Sequence, residues 1–355
     1  MTSAPRLLAA TSLAALAAGT AFGTAAAAPR VVADIPPVHS IVARVMEGAG
    51  TPELILPPGA SPHGYALRPS EAEMLESADL VVWIGEALTP WLDGALDALA
   101  GDATHLALVE AEGMRLLPVR EGGPFEAHDH DHAVAEDHDD DDHDHDHDHA
   151  HDHDDDHAHD HDDDHDHDHA HHHDDDHDHA ADTADGHLWL DPMNALAAAE
   201  AIAAALGEAD EENAELYNDN AAAFAGEMAA LVDEIEGTIE AVQGISFIVF
   251  HDAYQYFEDR FGIPAEGSLA LHDADQPSAA RLAEIQARVR GANVVCVFSE
   301  PQFEPRLLDT AIEGSTARTG VLDPLGAGLE PGPALYPALI RGLAGDLAGC
   351  LGEES

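Results

Sequence analysis

Lysine is absent from this 355-residue chain, and all 13 of its basic residues are arginine. Against 71 acidic residues they leave a formal net charge of −58. A surface of that sign repels the phosphates of nucleic acids and of anionic lipids, so it disfavours both as partners and favours cations. Without lysine the chain cannot carry the usual P-loop, so any ATP hydrolysis that its function requires is expected in another protein.

Long apolar runs are also scarce, and the most prominent one lies at the N-terminus. Arg6 precedes an apolar stretch from Leu7 to Phe22, and an alanine run with several possible cleavage points follows. This order predicts a signal peptide over residues 1–27. A membrane anchor is the alternative, but the stretch is shorter than the roughly 20 residues that a bilayer requires. No cysteine near the cleavage region could accept a lipid, so we predict a periplasmic mature protein.

Cysteine occurs only twice, as Cys296 in an apolar predicted strand and as Cys350 near the C-terminus. An oxidising compartment favours a disulfide between them. Two separate buried thiols are the alternative.

The composition changes abruptly between Ala127 and Thr183, where the chain is almost entirely His, Asp and Ala. This segment holds 21 of the 27 histidines. It has too few apolar side chains to form a core, so we predict a disordered insertion. Its histidines offer many weak metal sites, because ordering the chain costs entropy. One hypothesis is that it scavenges or senses zinc; the alternative is a solvated charge run that binds transition metals incidentally.

The rest of the chain has the pattern of the α/β class. Residues 28–210, which contain the insertion, and residues 244–355 each alternate short β-branched runs with amphipathic helical stretches, which predicts two (β/α) lobes with parallel-type sheets. Between them, residues 211–243 carry an apolar stripe at helical spacing. We interpret this stretch as one long inter-lobe helix in a monomer; a coiled-coil dimerisation helix is the alternative.

Three histidines follow or end predicted strands: His63 in PPGASPHGYALRPS, His187 in GHLWLDP and His251 in IVFHDAYQYFE. Ligands of open α/β sheets bind at the carboxyl ends of the strands, so two facing lobes would bring these imidazoles together in a cleft. Asp323 in GVLDPLG ends another strand and is the candidate fourth ligand. Three nitrogens and one carboxylate oxygen suit a tetrahedral Zn²⁺ ion, whereas Mn²⁺ prefers more oxygen.

Other polar residues have weaker signals. His39 follows the first strand and is a candidate for the cleft, although a structural role fits it better. His105 and His272 have no partner motif. Glu300 ends a strand and is a candidate to support one of the metal ligands.

The longer motifs resemble those of the ZnuA-type periplasmic zinc-binding proteins, within the cluster A-I family of ABC-transporter substrate-binding proteins. They cover nearly all of the mature chain, in order: GASPHGYALRPSEAEMLESADLVVWIG, HLWLDPMNA, FIVFHDAYQYFE, CVFSEPQF and TARTGVLDPLG. The resemblance implies two lobes joined by one long helix, metal in the cleft and delivery to a membrane permease driven by a cytoplasmic ATPase. It places the metal histidines at His63, His187 and His251, and its manganese members have a carboxylate at the position of His251. Some zinc members have an acidic residue where this chain has Pro62. The two cysteines also resemble a disulfide of this subgroup.

We therefore predict a periplasmic, high-affinity zinc-binding receptor that delivers Zn²⁺ to an ABC-type importer. The alternatives are a zinc buffer or chaperone without a transporter, a manganese-binding relative, and a zinc hydrolase. Against the hydrolase, the chain has no H-E-x-x-H motif and no evident general base beside the three histidines.

Overall fold

The structure is a computed structural model, and it describes residues 28–120, 125, 183–270, 279–302 and 306–352. The predicted signal peptide and the predicted insertion, apart from Thr183, lie outside these residues. Within them, no helix combines the length and the apolar character that crossing a bilayer demands.

The N-terminal lobe is built on a four-stranded parallel sheet with the order β2-β1-β3-β4. Its two middle strands, VVA and LVVW, are buried along their whole length, as expected when helices cover both faces of a parallel sheet. The strands are β1 Val31–Ala33, β2 Glu53–Leu54, β3 Leu80–Trp83 and β4 Thr104–Ala107. The helices are α1 Pro36–Val45, α2 Pro69–Glu76, α3 Pro90–Leu99 and α4 Pro192–Ala209.

All four of these helices begin with proline. Proline suits the first helical position because the helix needs no backbone N–H there. In α4 the preceding residue, Asp191, also caps the helix by accepting a hydrogen bond from the backbone N–H of Met193. The chain therefore turns sharply from strand or loop into helix at each of these points.

The C-terminal lobe repeats this arrangement with the order β6-β5-β7-β8, again fully parallel. Its strands are β5 Phe247–His251, β6 Ser268–Ala270, β7 Cys296–Ser299 and β8 Arg318–Val321. Its helices are α6 Gln255–Phe261, α7 Ala279–Gly291, α8 Arg306–Ala311 and α9 Leu335–Gly352. The prediction of two parallel α/β lobes is confirmed.

The long inter-lobe helix is α5, Ala214–Ile239, which continues into a 3-10 turn at Glu240–Val242. Its apolar stripe is buried: Tyr217, Ala221, Phe224, Met228, Leu231, Ile235 and Ile239. Helices α1, α4 and α9 of the same chain lie against it. Because its apolar face is covered within one chain, the stripe is not available to form a coiled coil with a second one.

The last helix returns from the C-terminal sheet to the N-terminal lobe. The Ser40 hydroxyl of α1 donates to the carbonyl of Gly332, 2.7 Å away, and accepts from the backbone N–H of Tyr336, 2.9 Å away. The predicted disulfide joins Cys296 of β7 to Cys350 of this helix. Helix α9 is therefore fixed to both lobes.

Candidate metal site

His63 lies in the loop between β2 and α2, which the chain holds at both ends. The indole N–H of Trp91 donates to the carbonyl of Pro62, 2.7 Å away. Farther along, Glu71 accepts from the Tyr65 hydroxyl at 2.8 Å and from the backbone N–H of Arg68 at 2.7 Å. These contacts fix the loop while leaving the imidazole partly exposed at the cleft.

His187 immediately precedes the 3-10 turn Leu188–Leu190. Asp185 sets the orientation of its ring: Oδ1 lies 2.7 Å from the imidazole Nδ1 and accepts from the backbone N–H of His187 at 3.0 Å. Gly186 between them passes so close to Ala87 that an added Cβ would lie 2.7 Å from its carbonyl oxygen. Only glycine fits this approach, which brings His187 to the cleft.

His251 is the last residue of β5 and only 2% of its surface is exposed. Its Nδ1 lies 2.5 Å from a carboxylate oxygen of Glu300, the residue that follows β7. Glu300 is itself 3% exposed. A carboxylate on Nδ1 fixes the ring and its tautomer, so the lone pair of the neutral imidazole lies on Nε2.

The three imidazoles converge, as predicted. One possible ligand nitrogen from each of His63, His187 and His251 lies within 4.8 Å of the other two. The Nε2 atoms of His187 and His251 are 3.3 Å apart. Two nitrogens at about 2.0–2.1 Å from a tetrahedral Zn²⁺ ion are about 3.3 Å apart, so this spacing fits zinc coordination.

The cavity beside the rings has a volume of about 10 Å³. Its apolar walls come from Pro62, Trp189, Pro324 and Leu325. The indole N–H of Trp189 donates to the carbonyl of Pro324, 2.8 Å away, which joins the wall across the two lobes. The space suits a single ion and excludes an organic ligand.

Asp323 does not belong to the imidazole cluster. Its Oδ1 accepts from the backbone N–H groups of Leu325 and Gly326, at 3.1 and 2.8 Å, and so caps its own turn. Its role as fourth ligand stays a prediction.

Two carboxylates face the imidazoles, and only one of them was a candidate from the sequence. Glu300 was a candidate because it ends a strand, and it contacts His251. Asp185 was missed; the only signal for it is the Asp-Gly-His spacing, which places a carboxylate two residues before a ligand. Both are acceptors for an imidazole Nδ1.

His39 and His105, the other histidines that the structure describes, are separate from the cluster. Nε2 of His39 lies 3.2 Å from the carbonyl of Pro52, and burial lowers the pKa of its ring. Nε2 of His105 lies 2.9 Å from the carbonyl of Ala100. His272 lies outside the described residues.

Proteins that hold a small cargo between two parallel α/β lobes form the class of two-lobed binding proteins, and the position of the imidazole cluster places this chain in that class. The model of the family described as "ZnuA: Zinc-uptake complex component A periplasmic" matches residues 31–350. The chain belongs to this family, which confirms the resemblance drawn from the motifs.

Individual proteins are similar to this chain in sequence or in fold. The high-affinity zinc uptake system protein ZnuA of Brucella suis biovar 1 is 47% identical over 323 residues, 91% of this chain and 92% of that protein. The periplasmic zinc binding protein TroA from Treponema pallidum has a TM-score of 0.67 at 15% identity, over 91% of this chain and 99% of its own. FpvC from Pseudomonas aeruginosa, solved in complex with Mn²⁺, has a TM-score of 0.68 at 16% identity, over 92% and 99%. At these identities the two structures show the fold of this chain, but they do not show which metal it binds.

Proposed function

We propose that this protein is the periplasmic receptor of an ABC-type zinc importer. It captures one Zn²⁺ ion in the cleft through His63, His187 and His251 and delivers it to a membrane permease. The observation that carries the proposal is the pair of Nε2 atoms 3.3 Å apart, each on a ring whose Nδ1 faces a carboxylate.

The chemistry of the donors supports zinc over manganese. Three imidazoles are borderline ligands that suit Zn²⁺, whereas Mn²⁺ prefers carboxylate, carbonyl and water oxygens. The fold does not discriminate, because structures of the same fold include one solved with Mn²⁺. The preference must therefore come from the side chains of the cleft.

The size of the cavity supports transport over hydrolysis. A catalytic zinc ion needs a coordination position that is open to substrate. The space beside the three rings, about 10 Å³, accommodates an ion and no peptide or ester. This supports a role for the ion as cargo.

Asp323 is the proposed fourth ligand. It would bind the ion after giving up the two backbone hydrogen bonds of its turn, a change that draws the segment after β8 towards the cleft. Asp323→Asn should then weaken zinc binding while leaving the turn intact, because the amide oxygen still accepts both hydrogen bonds.

A competition titration tests the proposal. The mature protein lacking residues 127–183 is titrated with Zn²⁺ and, separately, with Mn²⁺ in the presence of a chelator of known affinity. We expect one tight zinc ion per chain and binding of Mn²⁺ at least about 100-fold weaker. Loss of the tight site on deletion, or equal affinity for the two ions, would contradict the assignment.

Delivery requires a second measurement. Zinc-loaded protein should stimulate ATP hydrolysis by its permease and ATPase reconstituted in proteoliposomes, and the His251→Ala variant should not. A receptor that binds zinc tightly but leaves the transporter unstimulated would be a buffer instead.

A further inference from the structure

Arg120 joins the two lobes through a contact with Asp252, the residue that follows His251. It belongs to the N-terminal lobe, and its guanidinium lies between two carboxylates of the C-terminal lobe. Nε donates to Asp252 Oδ2 at 3.0 Å, and Nη1 donates to Glu258 Oε2 at 2.6 Å. The face of the guanidinium lies 3.9 Å from the centre of the Phe125 ring.

This contact is well shielded from water. The side chains of Arg120, Asp252 and Glu258 are 19%, 13% and 4% exposed. Burial raises the pKa of Glu258, and the ion pair with Arg120 opposes that rise. Removing the guanidinium would leave two carboxylates with little solvent and no cation between them, which strongly destabilises the present arrangement.

The positions of these partners connect them to two of the ligands. Asp252 directly follows His251. Helix α6 begins at Gln255, and Glu258 lies in its first turn. On the other side, the backbone N–H of Asp185, the carboxylate that orients His187, donates to the carbonyl of Leu117 at 2.8 Å. A hydrogen bond of 3.2 Å between Val119 and Thr183 continues this pairing towards Arg120.

A short, hydrogen-bonded path thus runs from the His251 loop through Arg120 to the segment that carries His187. We infer that Arg120 is a positioning residue for the metal site: it clasps the lobes and sets the separation of the His187 and His251 imidazoles. The inference rests on the proposed function, since it assumes that these rings bind the ion. Arg120 does not touch the ion itself.

A second arginine provides a matched control. Arg115, five residues earlier, also forms an ion pair across the lobes, with Asp259. Both of its partners are about half exposed, at 45% and 46%. Exposed ion pairs contribute little to stability or geometry, so this contact should not affect the site.

The experiment compares Arg120→Met, Arg120→Lys and Arg115→Met with the wild-type chain. Zinc affinity is measured by chelator competition, and the geometry of the site is followed by the visible absorption spectrum of bound Co²⁺. We expect Arg120→Met to weaken zinc binding about 10- to 100-fold, the range for residues that support metal ligands, and to alter the Co²⁺ spectrum. Lysine should restore part of both, because it keeps the charge without the fork. Arg115→Met should match the wild type.

Asp252→Asn serves as the second variant in case Arg120→Met does not fold, since it keeps the volume but loses the charge and one of the two acceptor oxygens that face Arg120. It should reproduce the direction of both changes. Zinc affinity within twofold of the wild type in Arg120→Met or Asp252→Asn, or an unaltered Co²⁺ spectrum, would overturn the inference. Weak zinc binding by the wild type itself would instead refute the proposed function.

Discussion

The two lobes share one topology but use the carboxyl ends of their central strands differently. Each has a buried ionisable side chain within one residue of that end: Asp34 after β1 and His251 at the end of β5. Asp34 accepts from the backbone N–H groups of Ile35 and Ile84, at 2.7 and 2.9 Å. His251 faces Glu300 with one nitrogen and the cleft with the other.

This difference explains why the ligands are distributed unevenly. In the N-terminal lobe Asp34 occupies the strand end and ties β1 to the residue after β3, so the proposed metal ligands come from a loop and from the residue before a 3-10 turn. In the C-terminal lobe the strand itself presents the ligand. We therefore expect the C-terminal imidazole to be the rigid member of the site and His63, whose imidazole is partly exposed, to be the adaptable one.

Replacing the rigid ligand should have the largest effect. His251→Ala removes the imidazole that the C-terminal lobe contributes to the cluster, so zinc affinity should fall at least about 100-fold, and most of the zinc-induced rise in Tm should disappear. His63→Ala should weaken binding less, because its loop leaves room for water to replace the ring. Differential scanning fluorimetry with and without zinc measures both.

His105→Ala is the control, since this ring lies outside the cluster. An unchanged response to zinc in His251→Ala would count against the assignment. Equal losses in His251→Ala and His63→Ala would remove the distinction between rigid and adaptable ligands.

The supporting carboxylates offer a finer test of the same contrast. Glu300→Gln and Asp185→Asn keep the shape of each side chain but weaken the acceptor for Nδ1, so zinc affinity should fall about 10- to 100-fold. The Glu300 change should be the larger. In Asp185→Asn the amide oxygen can still accept the hydrogen bond from the backbone N–H of His187, which keeps the side chain beside the ring. Chelator competition gives both values; a reversed order would show that the N-terminal ligand is the better fixed one.

Asp34 offers the last test of the comparison, and it concerns stability rather than zinc affinity. Burial raises the pKa of Asp34 from 3.8 to about 7. Between these values the folded protein retains a proton that the unfolded chain releases, so the contribution of Asp34 is present at low pH and is lost as pH rises towards 7, by at most about 1.4 kcal/mol per pH unit.

Asparagine cannot titrate, so the free energy of unfolding of Asp34→Asn relative to the wild type should increase from pH 5 to pH 8. Urea unfolding of the metal-free proteins at a series of pH values measures this difference. Parallel pH profiles for the two proteins would mean that the carboxyl group is ionised in the folded state.

Much of this architecture was predictable because local sequence patterns encode it. The β-branched runs predicted three of the four strands in each sheet, but not the strands β4 and β6. The stripe from Tyr217 to Ile235 predicted the long helix. Placement after strands, together with motif resemblance, gave the three histidines. The position of α9 was harder to predict. Its sequence follows the C-terminal lobe, but its contacts with Ser40 of the N-terminal lobe depend on how the two lobes meet.

The sequence by itself thus determined the two-lobed α/β class, the family and the three imidazoles, since hydrophobic periodicity and strand ends are properties of neighbouring residues. Only the tertiary structure decided which carboxylates face those rings, that Asp323 caps its own turn, and that Arg120 clasps the lobes. A hydrogen bond such as that from His251 to Glu300 joins residues 49 positions apart. Its partner is chosen by the packing of two strands, and no local pattern specifies which side chain will be there.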